Sequence, residues 1–301
     1  VHAARVQTVA AEAKAADAVR AASEAAVRAE EEQAKIDAAM GDEQKRLDDE
    51  MERWRRTYAS TNVRTDFAKL FLDGVAPGFT ASFLEPYLAS AGYDVTKHDA
   101  DAILLLRPED VAREVTELDR RGFTVKMHCV GDNAIRRGLD GIAAARRSNG
   151  ASGLRHEIAH SPFVHPDDMP RFALLDAVAE VSPKLWFPNA ATPAQVAVLG
   201  EERVQRCHAL RDYLNAGATM TYASDWPAGS PDANPWTGLA GMISRQDATG
   251  TYPGTLGADQ TLTLEEALPL FTTCGAQSLG MQDETGSLSA GKWADFMVLD
   301  Q

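Results

Sequence analysis

Residues 123–132, FTVKMHCVGD, decide how this chain folds. A short β-type stretch ends on His128, Gly131 leaves room for a turn, and a helical pattern runs from 132 to 147. The layout recurs outward in both directions. Upstream lies DFAKLFLDG (66–74), with Lys69 inside an apolar strand. Downstream, LRHEIAHSP (154–162) ends a strand on His160, and ATMTYASDWP (218–227) ends one on Asp225. The three donors are separated by 32 and then 65 residues, which fits one and then two strand–helix repeats of roughly 30 residues. Alternation of strands and helices implies a parallel sheet with helices outside. Donors at the C-terminal ends of successive parallel strands converge on one mouth, where a β/α barrel builds its site. The pattern implies a metal-dependent hydrolase.

The expected strands are 66–72, 123–129, 154–160, 177–182 and 218–224, with helices over 108–121, 132–147, 166–176, 201–216 and 263–279. Thr263 caps the last of these, with Glu266 three positions on. Ahead of them, about Val9 to Arg56 is built of Ala, Glu, Lys, Arg, Gln and Asp with no Pro and one Gly, Gly41. These are strong helix formers, so the segment reads as one long helix or two broken near Gly41. Its Ala-rich apolar content buries little area per residue, and no sustained Leu or Ile heptad marks a coiled coil.

Composition narrows the partners. The 301 residues are 45% hydrophobic and 25% charged, ordinary for a globular protein, and carry a formal charge of −14. That charge argues against nucleic acid or an anionic membrane surface as partner. A small-molecule amide-type substrate is expected instead, and a homo-oligomer stays open. Three Cys without a pairing pattern point to a reducing compartment, with the cytoplasm as default. No apolar run approaches the ~18 residues of a membrane span.

Each candidate has a bland counterpart. A lone strand-end His is more often structural, and Asp225 alone could merely cap a turn; the shared spacing is what raises them together. A charged Lys69 inside an apolar strand costs several kcal/mol unless it pairs with a carboxylate such as Asp73, snorkels to the mouth or is carbamylated. Trp186, Trp226 and Phe79 could wall an apolar pocket or belong to the core. His156-Glu157-Ile158-Ala159-His160 matches the zinc-peptidase pattern, which requires a helix. Gly153 upstream and Pro162 downstream leave no room for one, and in a strand the two His would stand about 13 Å apart.

Five blocks together resemble the metal-dependent amidohydrolases, in the branch of the N-substituted formamide deformylases: AKLFLDGVAPGFTASFLEPY (68–87), KMHCVGDNAIRRGLDGIAAAR (126–146), RHEIAHSPFVHPDDMPRFALL (155–175), YASDWPAGSPDANPW (222–236) and GSLSAGKWADFMVLD (286–300). The resemblance implies a TIM-type (β/α) barrel and a divalent metal, commonly zinc, as one or two ions. Lys69 would be a carboxylated bridging lysine, His128 and His160 ligands from strands five and six, and Asp225 ligand and general base. The implied reaction is hydrolysis of an amide, formamide or cyclic amide C–N bond by metal-activated hydroxide. That family opens its site with a His-x-His pair on strand one. None occurs here, the only early His being His2, and VHAARVQTV resembles the family's third strand. The expectation is therefore an N-terminally truncated, partial barrel of strands three to eight. Residues 1–60 would hold strand three and a helical arm, 61–285 the barrel, and 286–301 the start of a β-sandwich return strand.

Overall fold

The computed structural model describes residues 2–229 and 232–298 and divides the chain into two compact units, Val1–Thr65 and Asp66–Gln301. In the first, α1 (His2–Tyr58) runs unbroken through Gly41. The strand expected at 1–9 is thus helix from His2 onward. Val6, Thr8 and Val9 are β-branched, but the Ala-, Glu- and Lys-rich chain that follows favours helix strongly enough to extend it back through them. Ion pairs at i,i+3 such as Arg46–Glu43 and Arg53–Glu50 line its exposed face.

The second unit is α/β. Its strands are β1 (Phe67–Phe71), β2 (Thr124–Cys129), β3 (Glu157–His160), β4 (Val178–Val181) and β5 (Thr219–Tyr222). They form one sheet in chain order, every pair parallel, as βα repeats require. This is part of a β/α barrel with five strands rather than six. The helices are α2 (Pro108–Arg120), α3 (Asp132–Asn149), α4 (Met169–Leu174), α5 (Thr192–Leu199), α6 (Glu201–Gln205), α7 (Leu210–Asn215), α8 (Pro235–Ser244), α9 (Leu264–Ala267) and α10 (Thr273–Ser278).

Two expected helices break. The 201–216 pattern splits where His208 adopts φ 50° and its backbone N–H donates to the Pro162 carbonyl. The 263–279 pattern starts on the Thr263–Glu266 capping box but is interrupted by a 3-10 turn, Leu268–Phe271, at Pro269. The strand expected in the last block is irregular chain over 286–298, and its final residues lie outside those described.

Register sorts the side chains. Lys69, Lys126, Glu157, Val178 and Thr219 stand in one row, and Phe71, His128, Ala159, Glu180 and Thr221 in the next. Alternation puts both rows on the inner face. Val125, Met127, Cys129 and Ile158 point the other way and are fully buried under the helices. Each such side chain contributes roughly 1.5–3 kcal/mol. Gly138 of α3 lets that helix press close: a Cβ there would lie 2.7 Å from Ile158 Cδ1. Among the described residues, no helix is long and apolar enough to cross a membrane.

Candidate functional site

The inner rows carry an unusual density of charge. Lys126 Nζ lies 3.4 Å from both Glu157 and Glu180, and Ser278 Oγ donates to Glu157 at 2.6 Å. Glu180 accepts from the His160 backbone N–H at 3.3 Å, while its other oxygen is buried without a hydrogen-bond partner. Sequence reading passed over Lys126 and Glu180. The available signal was a charge at alternate positions of otherwise apolar strands, in TVKMHC and AVAEVS.

His128 belongs to the inner row by alternation, and Phe71 stacks on it at 5.1 Å. His160 does not, because its register partner Cys129 faces the helices. A left-handed backbone at His160 (φ 71°), continued at Ser161 (φ 44°), swings the imidazole inward. There its ring meets that of His128 edge-on, with centroids 4.4 Å apart. Asp225 is also left-handed (φ 52°), just past β5, and its Oδ2 lies 4.0 Å from His160 Nδ1. Non-glycine residues in this region cost about 1–3 kcal/mol each and cluster at functional sites.

Hydrogen bonds select the nitrogen each imidazole presents. His128 Nε2 lies 3.1 Å from the Gly74 carbonyl, which can only accept, so Nε2 carries the proton and Nδ1 the lone pair. His160 Nδ1 lies 3.1 Å from the Ser182 carbonyl, leaving Nε2 as its lone-pair nitrogen. Burial lowers the pKa of both, that of His160 to about 4 with help from His128. Both rings are therefore neutral at pH 7, the state a metal ligand requires.

Lys69 sits on the edge strand β1 and is exposed, so only part of the penalty expected for a buried lysine remains. Its ammonium lies over the Phe71 ring, 5.3 Å from the centroid. Desolvation of that group, then Lys126, lower its pKa against the pull of Glu180 and Asp225. Asp73 is not its partner. That carboxylate is buried and accepts three backbone N–H groups, from Ser82, Val130 and Gly131.

Lys69, His128, His160 and Asp225 thus share one face and one electrostatic neighbourhood. Imidazole and carboxylate donors suit zinc and similar divalent ions. Asp225 approaches the protonated Nδ1 edge of His160, however, not its lone pair. Among the described residues no three His, Cys, Asp or Glu side chains are arranged to hold an ion. The donor types and protonation states fit a metal; the cage is incomplete.

The aromatic candidates separate. Trp186 is fully buried, edge-on to His208 and Tyr222, and its indole N–H donates to the Gly238 carbonyl at 3.0 Å. It is a core residue and does not wall a pocket. Phe79, half-buried, packs with Tyr87 and Tyr93 beside Ala76. Trp226 alone is open, at 58% exposure, next to Asp225. The zinc-peptidase pattern falls on strand β3, not a helix. There His156 accepts from the Val125 N–H through Nδ1 and meets Asp119 through Nε2 at 2.9 Å, a structural role. A cleft of about 600 Å³ bordered by Phe83, Asp132, Phe163 and Arg203 includes none of the four donors.

Parallel strands with helices between them, and imidazole and carboxylate donors at the C-terminal ends of β2, β3 and β5, define part of a β/α barrel. The chain belongs to the Amidohydrolase family, which matches it over residues 2–301. It is 28% identical to Protein LONG AFTER FAR-RED 3 of Arabidopsis thaliana over 77% of this chain and 38% of that one. It is 32% identical to the N-substituted formamide deformylase of Arthrobacter pascens, over 60% of this chain and 32% of the relative. An uncharacterized metal-dependent hydrolase from Pyrococcus horikoshii shares the fold, with TM-score 0.67 and 24% identity over 84% of this chain and 49% of that one. The chain spans less than half the length of these relatives.

Proposed function

We propose that this chain supplies the second half of a barrel that hydrolyses a C–N bond in a small amide, formamide or cyclic amide. The observation that carries the reading is the left-handed backbone at both His160 and Asp225, which brings them to the side of His128 at a local cost in stability. His128 and His160 would hold a divalent ion, zinc being the best match to two neutral imidazoles, with Asp225 and a carboxylated Lys69 as further ligands. Such an ion lowers the pKa of bound water and polarises a carbonyl. Asp225 would move the proton toward the leaving amine. Trp226, exposed beside Asp225, would be the aromatic side chain that meets the substrate. A cytoplasmic setting agrees with three unpaired thiols.

The incomplete cage favours a second reading, a family member that keeps the fold as a binding module. Metal analysis of the purified full chain, with Lys69→Ala and Asp225→Asn beside it, separates the two. Bound zinc that falls in both variants, together with zinc-dependent hydrolysis of an N-alkylformamide, is the expected result. A folded chain that takes up no zinc supports the binding module instead.

A further inference from the structure

Asp73 takes part in no chemistry proposed so far, yet it sits where three segments meet. Two residues past β1, its Oδ1 accepts from the Val130 N–H at 2.9 Å, and its Oδ2 from Gly131 at 2.8 Å and Ser82 at 3.0 Å. One carboxylate thereby ties the end of β1 to the 75–82 loop and to the turn between β2 and α3. The next residue, Gly74, is pinned by its N–H to the Thr80 carbonyl at 2.8 Å, and its own carbonyl faces His128 Nε2 at 3.1 Å. Asp73 Oδ1 stands 3.8 Å from the same nitrogen. Phe71 closes the other side of the ring.

We propose that Asp73 is a positioning residue for His128: it fixes the Gly74 carbonyl and sets a carboxyl oxygen beside Nε2. Together these hold the imidazole as the Nε2–H tautomer with Nδ1 aimed into the site. Groups that orient a ligating His in this way commonly change metal affinity by about 10–100-fold when removed. An Asn at 73 is isosteric but cannot satisfy three converging N–H donors, because its NH2 is itself a donor. The inference rests on the proposed function only for what Nδ1 is needed to do. The tautomer itself requires no metal.

The test is long-range 1H–15N correlation NMR on the metal-free full chain with 15N-labelled histidine. His156, held by Asp119 and the Val125 N–H, is an internal reference for an intact sheet. Both His128 and His156 are expected as Nε2–H in the wild type. In Asp73→Asn, His128 should become a mixture of tautomers while His156 stays unchanged, and zinc affinity should fall about ten-fold. A wild-type His128 protonated on Nδ1 overturns the proposal without any variant, which covers the case in which Asp73→Asn does not fold. So does an Asp73→Asn protein in which His128 keeps its tautomer. Either failure leaves amide hydrolysis standing, and loss of the hydrolysis reading would not alter the spectrum.

Discussion

Gly131→Ala tests the packing that carries the site. A Cβ at 131 would lie 2.0, 2.4 and 2.8 Å from the Ser82 O, C and N atoms, all backbone. Ordinary contact begins at 3.4 Å, so one segment must retreat by about 1.4 Å. The Ser82 region cannot do so and keep its bonds. Its carbonyl accepts from Asn133 and Ala134 at 3.1 and 3.3 Å, its N–H reaches Asp73 at 3.0 Å, and its hydroxyl donates to Ala100 at 2.6 Å. A retreat of that size stretches several of these beyond hydrogen-bond length. At about 1 kcal/mol each, with some re-forming, the loss should be about 2–4 kcal/mol. Urea unfolding followed by near-UV circular dichroism measures it. Gly92→Ala is the control: its φ is 86° but nothing lies within 4 Å of the added methyl, so only the backbone term of about 1 kcal/mol applies. A Gly131→Ala loss no larger than that of Gly92→Ala would refute the close approach of these loops.

Three further outcomes follow from buried groups. Burial holds the pKa of His208 down to about 3 in the folded chain, against 6.5 when unfolded. Its stabilising effect is therefore complete above pH 6.5 and is lost as pH falls toward 3. Between pH 7 and pH 5 it should withdraw about 2 kcal/mol, and His208→Gln should flatten the stability profile by that amount; identical slopes would show the group is not buried neutral. Arg245, fully buried, donates to the Leu256, His208 and Cys207 carbonyls at 2.6, 3.0 and 3.0 Å. Because a lysine has one nitrogen for three separated acceptors, Arg245→Lys should cost about 2–4 kcal/mol in the same unfolding assay, and a neutral result would contradict the clamp. Trp186→Leu should cost about 3 kcal/mol or more and Trp226→Ala less than about 0.5, measured as thermal shifts; the reverse order would exchange their assignments to core and surface.

Much of the fold was legible because the signals are local. Period-two apolar runs ending in Gly or Pro located all five strands within three residues, and the Thr263 box marked a real helix start. The failures have physical causes. VHAARVQTV carries a strand-like likeness, but the Ala-rich chain that continues it propagates helix back through it. The 201–216 pattern has helical spacing throughout, yet Cys207 and His208 surrender their carbonyls to Arg245, which is 37 residues away from His208 in sequence and invisible to periodicity. Trp186 was ambiguous for the same reason. Whether an indole meets solvent or the Gly238 carbonyl depends on a partner 52 residues on.

The site shows the sharpest division between what sequence encodes locally and what it does not. Spacing alone put His128, His160 and Asp225 at strand ends. It could not say which way each side chain turns, since strict alternation sends His160 among the helices beside Cys129. The inward turn depends on two consecutive left-handed residues, His160 and Ser161, neither of them glycine. They are held by one local bond, Ser161 Oγ donating to the Ile158 carbonyl at 2.8 Å, and by two tertiary ones, Tyr213 OH to the Ser161 carbonyl at 3.3 Å and His160 Nδ1 to the Ser182 carbonyl at 3.1 Å. Strain of this kind persists only where surrounding structure over-determines it. A chain whose sole requirement was a stable sheet would gain by placing glycine at 160. That it places a histidine there, facing a second histidine and an equally strained aspartate, is what the proposed ligand role of these side chains would account for.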